Sequence, residues 1–348
     1  MKTRAIAAAV AASLFLTLSS SAAPAHAPKY KIRWLVGHQN LDYFEDAALA
    51  FKKTVETKSH GDIEITIVKT NDKVPDYVAS GEAEMGHSFT DVMGAVDPRL
   101  YAFEAPYLMR GDRHMEGVIE GPIGKELLGG LSAHHVVGLA LTYSGGASGI
   151  ATLNRQIRRP EDLKGLKVGV YGDSVNDAWL RSLGATPVKI GHDDDQINGL
   201  ARQGKLDAVM ITWRNFERSS LDKDFKYVSM MGSTYLVSVT YVNDKFFASL
   251  PPEYRALLRQ ASHDTGRIER AKTIALNALC KRKVIGYGVR PVYLSERARS
   301  RFVAAVRPAY ENSIEKIVGK ALLDRMRKAP DGPEFPPMNE GEVALLGR

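Results

Sequence analysis

The sequence predicts an α/β protein with two lobes. Strand-like and helix-like segments alternate twice over, in two separate blocks of similar length. The chain has 348 residues, 44% hydrophobic and 25% charged, which is ordinary globular composition and long enough for two cores.

In the first block, Ile32, Trp34 and Val36 alternate through 31–37, the mark of a strand, which runs into the polar loop Gly37-His38-Gln39-Asn40-Leu41-Asp42. A helix follows. Phe44, Ala48, Phe51 and Val55 share one of its faces, Asp42 and Glu45 suit a capping box, and Gly61 stands just past its end. Ile63, Ile65 and Ile67 mark the next strand, and a short helix ends at Gly81. In the second block, 136–143 and 166–171 are strand-like, 177–183 is a helix closed by Gly184, 196–203 a helix closed by Gly204, and 207–213 a third strand. Such alternation implies largely parallel sheets, whose ligands bind outside the carboxyl ends of the strands. The loops after Gly37, Gly86, Tyr143, Tyr171 and Thr212 are therefore the candidates for function.

Pro252 suits the first turn of a helix, and apolar residues recur from Leu257 to Leu279 without a breaker before Gly286, which predicts one long helix. From Ala329 onward the chain is rich in Pro, Gly and acids and has no periodic face, as in an extended or mobile tail. The expected division is 28–146 with 236–275 as the first lobe, 147–235 with 276–328 as the second, and 329–348 as the tail.

Residues 1–27 have the pattern of a signal peptide: basic Lys2 and Arg4, an apolar run over 5–18 too short for a comfortable membrane span, and two A-x-A sites that place cleavage after Ala25 or Ala27. The first is preferred, because the second would leave Pro28 just past the cut. No other long apolar stretch follows, so an exported chain without a membrane span of its own is expected. Two of the +7 formal charges belong to the leader, and no basic run exceeds Lys281-Arg282-Lys283, which argues against a nucleic-acid partner. The single cysteine, Cys280, excludes an intrachain disulfide and a CxxC pair, and its helical setting suggests a buried thiol.

Nucleophile, phosphate-loop and metal motifs are missing. Gly146-Ala147-Ser148-Gly149 misses the G-x-S-x-G spacing by one residue, and there is no GxGxxG, P-loop or HExxH. The acids of 191–195 point in different directions and suit a helix start rather than a metal. No enzyme activity, cofactor or metal is expected.

The segment Arg159-Pro160-Glu161-Asp162-Leu163-Lys164-Gly165-Leu166-Lys167-Val168-Gly169-Val170 resembles the signature of DctP-type solute-binding proteins, which serve TRAP transporters. FKKTVETKSHGDIEITIV, SGEAEMGHS, APYLMRGDRH, SLGATPV, GLARQGKLDAV and YLVSVTYVNDKFFASLPPEYRALLRQA resemble further segments of that family, in order, over roughly 31–323. The resemblance implies a type II-like periplasmic binding fold with a hinge and a long helix spanning both lobes. It also implies a periplasmic monomer that closes on a small-molecule ligand and delivers it to TRAP permease membrane subunits. A sensory role at a receptor is the competing reading within this fold.

The departures from the family concern the ligand. Gly169 stands where the family usually places a carboxylate-clamping arginine, Gly149 where sialic-acid binders place a second, and Ile211 where members often carry asparagine. Either the ligand is neutral or cationic, such as an amine or amino alcohol, or Arg214 has taken over a carboxylate; a third possibility is that the glycines make room for a bulky acid. Expected ligand contacts are His38, Asp42, Phe89, Asp91, Ser148, Gly149, Gly169, Trp213, Arg214 and Tyr235, with Asp42 and Asp91 as acids and Phe89, Trp213 and Tyr235 as aromatic faces for a cation. For Trp213 and Arg214 packing at the hinge and pairing with Glu217 are equally open, and for Asp42 helix capping serves as well as ligation.

Overall fold

The computed structural model describes residues 27–37, 42–70, 73–171, 176–191 and 194–334. The leader and His38 lie outside the described residues, as do the side chain of Asp42 and the tail beyond 334.

The first lobe is built from β1 (Tyr30–Val36), α1 (Asp42–Lys58), β2 (Ile63–Lys69), α2 (Val74–Ser80), β3 (Met85–Phe89), α3 (Thr90–Met93), α4 (Asp112–Ile119), α5 (Pro122–Gly130) and β4 (Val136–Ala147). The second contains β5 (Gly149–Thr152), β6 (Lys167–Tyr171), α6 (Asn176–Ser182), β7 (Thr186–Ile190), α7 (Asp194–Arg202), β8 (Ala208–Ile211), α8 (Trp213–Arg218) and β9 (Tyr227–Met230). The chain then returns through β10 (Tyr235–Asn243), α9 (Asp244–Ser249), α10 (Pro252–Gly286), β11 (Arg290–Tyr293), α11 (Glu296–Asn312), α12 (Ile314–Val318) and α13 (Lys320–Lys328).

Two sheets result, ordered β2-β1-β3-β10-β4 and β11-β9-β5-β8-β6-β7. In the first, β1 runs parallel to β2 and β3, while β10 is antiparallel to β3 and β4. In the second, β6 runs parallel to β7 and β8, and β5 is antiparallel to β8 and β9. Each lobe thus has a parallel trio beside an antiparallel strand that follows a crossing between the lobes.

Both sheets are buried on both faces. In β1, Ile32, Trp34 and Val36 face Phe44, Ala48, Phe51 and Val55 of α1, the stripe expected from their helical spacing, while Leu35 faces the other core. The ring of Trp34 meets Phe44 edge-on and tilts against Phe51. Burying an aromatic side chain of this kind contributes about 2 kcal/mol, which fixes α1 on that face of the sheet. In the second lobe, Val168 and Val170 pack with Trp179, Leu180 and Phe302, and the opposite face gathers Ile190, Val209, Ile211, Trp213, Phe216, Cys280 and Val284.

Several boundaries differ from the sequence reading. The strand expected over 207–213 ends at Ile211, and Thr212 caps α8 by accepting the Asn215 N–H, so Trp213 lies in a helix. The short strands β5 and β11 were not anticipated. The chain also re-enters the first lobe late: Tyr310, Ile314, Leu322, Leu323 and Met326 join the core of Leu35 and Phe103, although residues up to 328 were assigned to the second lobe. The apolar stripe of α11 changes partner along its length, with Phe302 and Val306 in the second lobe and Tyr310 in the first.

Candidate functional site

The crossing between the lobes is a pair of antiparallel segments. Ser148 donates its backbone N–H to Thr234 and accepts from Gly232, and the Ser148 hydroxyl lies 2.7 Å from that of Thr234. The N–H of Tyr107 in the first lobe bonds the carbonyl of Ser233. Just before the crossing, β4 bulges. Tyr143 pairs with Val237 and Ala147 with Tyr235, so 144–146 stand opposite a single residue of β10. Gly145 and Gly146 have φ of 94° and 70° there, a conformation for which glycine is the ordinary choice.

Polar groups in and beside the bulge find further partners on α10. Gly266 accepts the Thr142 hydroxyl, Glu269 the Ser144 hydroxyl, Arg270 donates to the Leu141 carbonyl and Asn277 to that of Gly145. These positions follow helical spacing, so one polar stripe of α10 seats the bulged strand.

The carboxyl ends of β3 and β8 carry several of the residues singled out by sequence. Phe89 is half-buried at the end of β3, and Asp91 is exposed in the first turn of α3, where its carboxylate accepts the Val92 N–H. Beside them Glu104 is half-buried and accepts the Thr90 hydroxyl at 3.1 Å. Burial, and then the charge of Asp91, pushes its carboxyl up to about 8. At β8, Gly149 pairs with Ile211, next to Trp213 and Arg214. Trp213 is buried edge-on to Phe216, within the second lobe's core. Arg214 is bound to Glu217 at 3.0 Å, with both side chains largely buried, and Lys283 pairs with the same carboxylate. Ser148 and Tyr235 belong to the crossing: the Ser148 hydroxyl is taken up by the opposite segment, and Tyr235 is buried edge-on to Tyr143 with its hydroxyl toward Asp112.

The glycines do not open space. A Cβ on Gly169 would lie 3.2 Å from Ile190 Cδ1 and 3.3 Å from Val209 Cγ2, and one on Gly149 would lie 2.8 Å from the Ser229 carbonyl oxygen. A side chain at either position would therefore press on its neighbours from the first carbon outward. Ile211 is part of the same apolar core as Ile190 and Val209. Gly169 and Ile211 thus lie against apolar side chains of the second lobe's core.

Sequence reasoning missed Glu104, Glu269 and Asn277. Glu104 stands one residue before the segment APYLMRGDRH and carries no pattern of its own, while Glu269 and Asn277 look like ordinary polar positions of a long helix. Their spacing with Gly266 and Thr273 was the available signal. Among the described residues no three His, Cys, Asp or Glu side chains gather as a metal site would require, and no helix is long and apolar enough to cross a membrane.

The family model described as bacterial extracellular solute-binding protein, family 7 (DctP), matches residues 37–317. A solute-binding protein of Verminephrobacter eiseniae is 24% identical over 84% of this chain and 80% of its own length. A TRAP periplasmic solute-binding protein of Ralstonia eutropha H16, solved with (S)-2-acetolactate, superposes with a TM-score of 0.76 at 22% identity, over 86% of this chain and 98% of its own. One from Chromohalobacter salexigens, solved with D-glucuronate, gives 0.76 at 19% identity, over 86% of this chain and all (100%) of its own.

Proposed function

We propose, since the chain belongs to the DctP family of bacterial extracellular solute-binding proteins, that it captures a small polar solute between its lobes in the periplasm and hands it to TRAP permease subunits. No catalysis is involved. The leader-like residues 1–27 support export, and the crossing at 147–149 and 231–235 supports a hinge about which the lobes close. A ligand that touches both lobes prefers the closed state and shifts the population toward it.

The ligand is either a neutral or cationic molecule such as an amine or amino alcohol, or a carboxylate, which the acids held by the solved relatives favour. The observation that carries the first is the apolar packing of Ile190 and Val209 against Gly169, because a carboxylate buried there would have no guanidinium partner. Glu104 supports it: a carboxyl raised by burial and a neighbouring acid gains from an incoming cation. A second reading has an observation in its favour. The solved relatives hold (S)-2-acetolactate and D-glucuronate, both acids, and Arg214 stands three residues past the end of β8. In that reading Arg214 leaves Glu217 when a carboxylate arrives.

Thermal melting of the mature protein against a panel of carboxylates, sugar acids, amines and amino alcohols tests both, because a ligand selective for the native state raises the midpoint. Stabilisation by amines or neutral solutes alone upholds the first reading. Stabilisation by a carboxylate, abolished in Arg214→Ala, overturns it in favour of the second.

A further inference from the structure

We propose that Asn277 is a positioning residue that couples the bulge of β4 to the ligand-facing end of β8. Its carboxamide reaches two elements at once. Nδ2 donates to the Gly145 carbonyl at 2.9 Å and to the Thr273 carbonyl at 3.0 Å, while Oδ1 accepts the Arg214 backbone N–H at 3.0 Å. The first partner is a carbonyl that the bulge has removed from the β4–β10 ladder. The second is an N–H in the first turn of α8, which has no intrahelical acceptor. One side chain thus satisfies an orphan acceptor in the hinge and an orphan donor beside the cleft.

The place of Asn277 along α10 fits this role. Leu258, Ala261 and Leu276 pack in the first lobe, whereas Cys280 and Val284 pack in the second, so the helix changes lobes at this residue. The fit is close: a Cβ on Gly146 would lie 3.1 Å from Nδ2, and φ there is 70°. A change of backbone angle at Gly145 and Gly146 therefore moves the carboxamide, and with it the start of α8. Only a carboxamide combines the donor and the acceptor at this reach; aspartate keeps the acceptor alone, and leucine keeps neither.

The coupling rests on the reading that the lobes move about this crossing, but its test needs no solute, so a failed ligand assignment leaves it untouched. Amide hydrogen exchange and small-angle X-ray scattering are measured on the full chain and on Asn277→Asp and Asn277→Leu. In Asn277→Leu, exchange at Arg214 rises about tenfold, as for the loss of one hydrogen bond, and the scattering shows a broader spread of lobe separations. In Asn277→Asp, Arg214 stays protected while the lobe separation broadens, because only the hinge contact is lost. Unchanged scattering in both variants overturns the proposal, as does a uniform rise in exchange across both cores. If Asn277→Leu does not fold, the split between the two readouts in Asn277→Asp decides.

Discussion

The Glu269 carboxylate of α10 accepts the hydroxyl of Ser144, the first residue of the bulge in β4, inside a fully buried interface. Burial dominates its ionisation and pushes the carboxyl up to about 7, with the hydroxyls of Ser144 and Thr142 and the charge of Arg270 opposing. The unfolded chain releases this proton near the ordinary glutamate value of about 4.3, so between that pH and about 7 the native state binds more protons than the unfolded one. Stability from this residue is therefore lost as pH rises across that window and is level above it. Glu269→Gln keeps an acceptor for Ser144 and removes the charge. Melting midpoints at pH 5 and pH 8 should lie closer together in the variant than in the parent; an equal gap in both would sink this account.

Placing an arginine at position 169 should not create carboxylate binding. Gly169→Arg drives a side chain into Ile190 and Val209, and overpacking of this kind costs about 1–3 kcal/mol. The expected result is a lower melting midpoint with no shift from succinate or glucuronate. A variant as stable as the parent that gains a carboxylate-induced shift would mean that Ile190 yields easily and that the cleft lies open behind it.

Much of the fold was legible because its signals are periodic. The stripe from Phe44 to Val55, the alternation of Ile32, Trp34 and Val36, and the unbroken run in α10 each report burial directly. Four-residue strands such as β5 and β11 have too few positions for a period to appear. The return of α12 and α13 to the first lobe was hidden for another reason: an apolar stripe tells which face is buried but not against what. The same limit governed the site. Gly169 and Ile211 could be singled out by the resemblance, yet only the structure shows that Ile190 and Val209 crowd the position of a Cβ at 169. Trp213 was visible as an aromatic at a strand end, but its burial against Phe216 depends on α8 starting one residue earlier than the expected strand allowed.

Residues 329–334, the described part of the extended or mobile tail that composition suggests, are strapped to α4. The Arg110 guanidinium donates to the carbonyls of Arg327 and Ala329 and pairs with Asp331, and Gly332 donates its N–H to the Arg113 carbonyl. Gly117 lets the strap lie close, since a Cβ there would sit 1.8 Å from the Pro330 carbonyl oxygen. Arg110→Ala removes three of these contacts at once. Trypsin should then cut after Arg327 or Lys328 at least several-fold faster than in the parent, with cleavage elsewhere unchanged. Equal rates at these bonds would show that packing alone holds the strap.

The Arg214–Glu217 pair gives a measure of how firmly the arginine is held where it is. Glu217 is 13% exposed and Arg214 19%, so the pair is better shielded than an ordinary surface bridge, while Lys283, half exposed, shares the carboxylate. Removing Arg214 leaves Glu217 with Lys283 as a partner, which limits the cost to about 1–2 kcal/mol rather than that of a stranded buried charge. Lys283→Ala should cost less, because its ammonium already faces water. A double-mutant cycle on Arg214→Ala and Glu217→Ala should return a favourable coupling of about 1 kcal/mol in the empty protein. The decisive comparison is the same cycle with a saturating carboxylate. If the coupling persists, Arg214 stays with Glu217 and the relocated-arginine reading fails; if it vanishes while the carboxylate still stabilises the protein, the guanidinium has changed partners.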